Sequence, residues 1–115
     1  MSGLSFPPAA RIRTSREYDL VFKAGRSFHT ANFKLVIAEG SAPWSRLGLV
    51  VSRRVGDAVR RNRIKRRLRE WFRLGRHFFA APLDIVVIAK PGAAGLEFGQ
   101  ISAELDQAVG RWRRV

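Results

Sequence analysis

"RLGLVVSRRVGDAVRRNRIKRRLREWFRLGR", residues 46 to 76, joins a short aliphatic run to a glycine break and a long basic tract. The run 46 to 52 has the length and branched composition of a strand. Gly56 interrupts it, Asp57 is a residue type that caps helix N-termini, and the pattern predicts a helix from there to about Arg76. With residue 64 at zero and ~100° per residue, Ile64, Leu68, Trp71 and Phe72 form one stripe, apolar enough to dock on a sheet. Asn62, Lys65, Arg66, Arg69, Arg73 and Arg76 fall on the adjoining and opposite face, with Arg63 and Arg67 on the other flank near Glu70. Arg61 projects to about 60°, beside the stripe, and can reach toward Ser52, Arg53 and Arg54.

Residues 53 to 76 hold eleven basic residues against Asp57 and Glu70, a net nine of the chain's thirteen positive charges. Like charges three and four apart repel by a few tenths of a kcal/mol per pair. A bound polyanion relieves that repulsion, whereas an unstructured arm would need no apolar stripe. Asn62 is a poor helix former that carries both donors and an acceptor, a type suited to base edges and riboses.

The rest of the chain supplies what this helix docks on. "TSREYDLVFKAG", 14 to 25, carries the capping box Thr14-x-x-Glu17, places Tyr18, Val21 and Phe22 on one face, and ends at Gly25 as a left-handed stop. In "ANFKLVIAEG", Phe33, Leu35 and Ile37 alternate with Asn32, Lys34 and Val36 as in a strand, "SAPWS" is a turn, and the strands on either side of it suggest a hairpin. "LDIVVIA", 83 to 89, reads as a buried strand, and "KPGAAG" as a loop. Phe98, Ile101, Leu105, Ala108 and Trp112 recur at the spacing of a final amphipathic helix. The expected fold is α+β: a single sheet of about four strands flanked by three helices, in the order α-β-β-β-α-β-α. Part of the sheet is expected to be parallel across residues 46 to 89. Residues 1 to 13, with Pro7-Pro8, read as an extended basic arm ahead of one domain spanning 14 to 115.

The 115 residues include 22 Lys and Arg against 9 Asp and Glu, and arginine dominates. That excess favours phosphate polymers, and the arginines favour bidentate contacts. No cysteine is present, which excludes disulfides, Cys-ligated zinc and thiol catalysis. His29 and His77 lack metal-ligand spacing, and the nine carboxylates form no DxD-like constellation, so neither an intrinsic catalytic site nor a metal site is expected. The N-terminus lacks a secretory pattern and no apolar run is long enough to span a bilayer, which makes a cytoplasmic protein without membrane contact the expectation.

"GLVVSRRVGDAVRRNRIKRRLRE" resembles the signature segment of the bacterial ribonuclease P protein component, with Arg61-Asn62-Arg63 followed by Ile64-Lys65-Arg66 as its core. The resemblance extends upstream to "EYDLVFKAGRSF" and downstream to "DIVVIAKPGAA". It implies a left-handed βαβ crossover containing the basic helix, against the usual handedness. It also implies an accessory subunit that joins a catalytic RNA, which with bound Mg²⁺ removes the 5′ leader of precursor tRNA; no protein partner is required. By position, Arg61, Asn62, Arg63, Lys65, Arg66 and Arg69 would face the RNA subunit. Tyr18, Phe22, Phe33, Ser52 and Arg54 would line a cleft for the single-stranded leader, where aromatic faces stack bases irrespective of sequence. From the residues alone, Tyr18 and Phe22 also suit a core pair. The rival reading is a ribosomal or other non-catalytic RNA-binding protein.

Overall fold

The computed structural model describes residues 8 to 113. Thr14 caps the first helix, α1 (Ser15–Ala24). Its hydroxyl accepts from the Glu17 amide at 3.2 Å, and the Glu17 carboxylate accepts from the Thr14 amide at 3.0 Å. The helix stops at Gly25, but with φ −87° and ψ 165° this residue is extended, not left-handed. Glycine is needed there for space: a Cβ would lie 2.7 Å from both the Val21 carbonyl and Val36 Cγ1.

Two strands follow, β1 (Arg26–His29) and β2 (Phe33–Glu39), paired antiparallel as a tight hairpin. Glu104 pins its turn, accepting from the Asn32 amide at 2.7 Å, from Asn32 Nδ2 at 2.8 Å and from the Thr30 hydroxyl. Burial pushes the Glu104 carboxyl up, but those bonds and nearby Lys90 outweigh it and hold the group below its ordinary range.

β3 (Arg46–Val50) does not pair with β2, so the hairpin expected between them does not form. The sheet order is β1-β2-β4-β3, with β4 (Leu83–Ala89) antiparallel to β2 and parallel to β3. β4 is the most continuously aliphatic strand, and the centre of a sheet covered on both faces is where such a strand loses most water-exposed apolar surface. β3 is left at the edge. The long helix α2 (Ala58–Gly75) connects β3 to β4, and α3 (Phe98–Val109) closes the chain. The "KPGAAG" segment is a 3₁₀ turn over Pro91–Gly95.

The sheet has two covered faces. Phe33, Leu35, Leu47, Ile85 and Val87 meet Ile64, Leu68 and Phe72 of α2 and Ile101 and Leu105 of α3 in the main core. On the other face Val36, Ala38 and Val86 meet Val21 of α1 and Ile12. Trp71 Nε1 donates to Asp106 at 2.8 Å, joining α2 to α3.

Within the segment read as an arm, residues 8 to 13 are packed. Pro8–Ala10 forms a 3₁₀ turn, and the Ile12 amide donates to the Leu47 carbonyl at 2.9 Å beside edge strand β3. Ala10 and Ile12 are buried, so packing starts ahead of Thr14. Residues 1 to 7 of that segment lie outside the described residues.

Candidate nucleic-acid interface

Asp57 caps α2 by accepting from the Arg60 amide at 2.9 Å. Gly56, just before it, has φ +155°, a conformation that side chains rarely adopt. The buried residues of the helix are Ile64, Leu68, Trp71 and Phe72, the stripe predicted by the wheel. The same geometry turns Asn62, Arg63 and Arg66 fully outward and leaves Arg61, Lys65 and Arg69 half-buried at the margins. Arg61 Nε is buried without a hydrogen-bond partner among the described residues.

Two other cations of the helix are spoken for locally. Arg73 pairs with Glu70, Nε to Oε1 at 2.9 Å, and holds its carboxyl below the ordinary range. Arg67 donates to the Leu96 carbonyl and lies 3.6 Å from Glu97, which ties α2 to the approach to α3. Among the described residues no carboxylate forms an ion pair with Arg63, Lys65, Arg66 or Arg69, so a row of uncompensated charge faces outward on a helix whose opposite side is fixed in the core.

On the opposite face of the sheet, α1 presents Tyr18 and Phe22, with ring centroids 6.3 Å apart. Phe22 is 43% exposed. Tyr18 is half-buried and fixed: its hydroxyl accepts from the Leu49 amide at 2.9 Å and donates to the Leu49 carbonyl at 3.2 Å. Its ring covers Gly48, where a Cβ would lie 2.7 Å away. Arg46 anchors α1 to the sheet. It donates to Glu17 at 2.8 Å and, through Nε and Nη2, to buried Asp84 at 3.0 Å each. The Thr14 and Arg13 amides and the Arg46 guanidinium push the Glu17 carboxyl down to about 2. The two carboxylates raise the Arg46 guanidinium further above its usual value.

Phe33 stands elsewhere. It is 0% exposed in the main core, on the sheet face that carries α2 and α3, so it does not line the surface beside Phe22. The β2 alternation puts Lys34 on the α1 face instead. Pairing then aligns His29, Lys34, Ile88 and Val50 across all four strands. His29 is exposed and the other three are half-buried, a floor that α1 leaves partly open. These four were not singled out in the sequence; the parity of Lys34 against Phe33 was the available signal, obscured because both sheet faces are covered. Ser52 and Arg54 are exposed just beyond β3, before the turn into α2. Among the described residues, no group of three His, Asp or Glu side chains is placed to hold a metal ion, and no helix is long and apolar enough to cross a membrane.

The described residues thus form an α+β sheet with a parallel β3-α2-β4 crossover, one outward cationic helix row and one aromatic-rimmed strand face. A model of the ribonuclease P protein family matches residues 6 to 113. Relatives agree: the ribonuclease P protein component of Syntrophobacter fumaroxidans is 48% identical over 87% of this chain and 85% of its own, and that of Citrifermentans bemidjiense 43% over 99% and 97%. The Staphylococcus aureus RNase P protein superposes with a TM-score of 0.82 at 29% identity, covering 91% of this chain and 98% of its own. The Thermotoga maritima protein does so with 0.78 at 33%, over 88% and 96%. The chain belongs to the ribonuclease P protein family. It is thus a subunit of a tRNA-processing endoribonuclease and a partner of ribonuclease P RNA, and the ribosomal alternative falls away.

Proposed function

We propose that the outward row of α2, centred on Arg61, Asn62, Arg63, Lys65, Arg66 and Arg69, binds the RNA subunit, while the α1 side of the sheet holds the 5′ leader of precursor tRNA. One observation carries this reading: a helix with its apolar stripe locked in the core presents cations that no carboxylate among the described residues neutralises. Each phosphate that such a row neutralises releases counterions, so affinity falls steeply with salt. Phe22 supplies an exposed π-face, Lys34 a cation on the floor, and Ser52 and Arg54 polar contacts at the end of β3. Tyr18 acts mainly by holding α1 against the sheet, since its hydroxyl is already satisfied by Leu49.

In this reading hydrolysis belongs to the RNA subunit, with Mg²⁺ bound mainly by RNA, as the resemblance to the family implies. The polypeptide's part is to position the substrate and offset phosphate repulsion. The test compares precursor and mature tRNA in the reconstituted complex. Phe22→Ala and Lys34→Ala should each weaken precursor binding, about 5- to 100-fold for the lost stacking of Phe22, and leave mature tRNA unaffected. Equal losses with both RNAs would refute the cleft assignment.

A further inference from the structure

Beyond the interface above lies a cleft of about 310 Å³ between the β2–β3 connection and the segment that follows α2. Trp44, Arg76 and His77 line it, with Phe79 and Pro82 at its base and rim. Trp44 is 45% exposed, although its one polar atom is already bonded: Nε1 donates to the Ala9 carbonyl at 2.7 Å. That bond fixes the indole by its edge and leaves ring surface in water, a costly arrangement for so large an apolar group. Arg76 has a buried Nε with no hydrogen-bond partner among the described residues. Such a donor loses its hydration without replacement.

The cleft is continuous in charge with α2. On the helical wheel Arg76 falls within about 20° of Lys65 and of Arg69, so the three share one edge of the helix, that nearest β3. A second cleft of about 280 Å³ lies along this edge, lined by Arg11, Arg13, Tyr18, Lys65 and Arg69. Among the described residues no carboxylate lines either cleft. The cationic track therefore runs along the β3 edge of α2 and ends at a flat aromatic ring. Cations that follow a backbone, together with an exposed ring for a base, are the chemistry of single-stranded nucleic-acid sites.

We infer that the Trp44–Arg76–His77 cleft takes one unpaired nucleotide of the RNA subunit, its base stacked on Trp44 and its phosphate held by Arg76 and His77. The volume lies at the small end of ligand sites, about 300 to 1,000 Å³, which suits a single nucleotide and not a duplex. This inference rests on the proposed docking of RNA along α2 and extends that contact past the end of the helix.

The test measures affinity of the full chain for a bacterial ribonuclease P RNA over a range of salt. Trp44→Ala should lower affinity about 5- to 100-fold, as loss of one base stack does, while Trp44→Phe keeps most of it. Arg76→Ala should flatten the salt slope by about 0.7 to 0.9, the contribution of one phosphate. Trp44→Phe also loses the bond to Ala9, so if it fails as badly as Trp44→Ala, the ring serves only to anchor residues 8 to 13 and the inference is overturned. Wild-type affinity of Trp44→Ala overturns it too, as does an effect seen only with precursor tRNA. Arg66→Ala is the reference: if it weakens binding and the cleft variants do not, only this inference fails. If Arg66→Ala is also silent, the docking face itself is wrong. A photo-crosslinking side chain at position 77 should give an adduct with an unpaired nucleotide of the RNA subunit; an adduct confined to precursor tRNA would contradict the assignment.

Discussion

The neighbours Phe33 and Lys34 show how much one residue's parity decides. Both sit on β2, yet Phe33 is sealed between the sheet and the two later helices and Lys34 faces α1. Phe33→Ala should therefore cost stability, about 3 to 5 kcal/mol as for other buried Phe truncations, in a denaturant titration. Phe22→Ala should leave the midpoint nearly unchanged. The sequence displayed the alternation but not which set faced which helix, because β2 is covered on both sides. Glu17 is legible to a greater degree, since the capping box was written in Thr14-x-x-Glu17 and forms. Its bond to Arg46, 29 residues away, was not. The Glu17 carboxyl sits at about 2 in the fold against 4.5 unperturbed. A depressed carboxylate contributes stability that is complete above the unfolded value and drains away as pH falls toward the folded one. Melting temperature should therefore drop between about pH 4.5 and pH 2 in the wild type, and Glu17→Gln should melt lower at neutral pH with a shallower acid limb. Parallel pH curves for the two proteins would contradict this.

Among the elements, α2 was the most readable. A cap, a stripe at 3.6-residue spacing and a charged remainder agree on one helix in one orientation, and the structure buries that stripe. The two sides of the helix should separate in experiment. Leu68→Ala opens a cavity and should cost about 2 to 5 kcal/mol of stability with its RNA contacts intact. Arg66→Ala should leave the fold's stability nearly as it is and reduce RNA affinity with a flatter salt dependence. If Arg66→Ala destabilised the fold as much as Leu68→Ala, the outward assignment of that face would be untenable. The strands were less readable. β2 and β3 were found in sequence but joined wrongly, because proximity along the chain favours a hairpin while β4, aliphatic but for Asp84, gains more by entering between them. β1 is four residues long and mostly exposed, too short and polar to announce itself.

At the scale of the molecule, the sheet order puts the two proposed RNA contacts on opposite faces of one rigid layer. α2 lies over one face and α1 over the other, and edge strand β3 separates the cationic row from the aromatic rim. Under the proposed assignment the RNA subunit and the substrate leader are held at a fixed spacing on the two faces of the sheet. The charge of +13 was visible at once and pointed to a polyanion, but composition does not show a bridge between two of them. The bridging claim is tested most directly by reconstitution. A bacterial ribonuclease P RNA is assayed at low Mg²⁺, where the RNA alone cleaves poorly, with a precursor tRNA carrying a 5′ leader. Adding the folded chain should restore cleavage at the mature 5′ end, and Arg66→Ala together with Arg69→Ala should abolish that rescue. No stimulation by the folded wild-type chain, with RNA shown to be active at high Mg²⁺, would contradict the account.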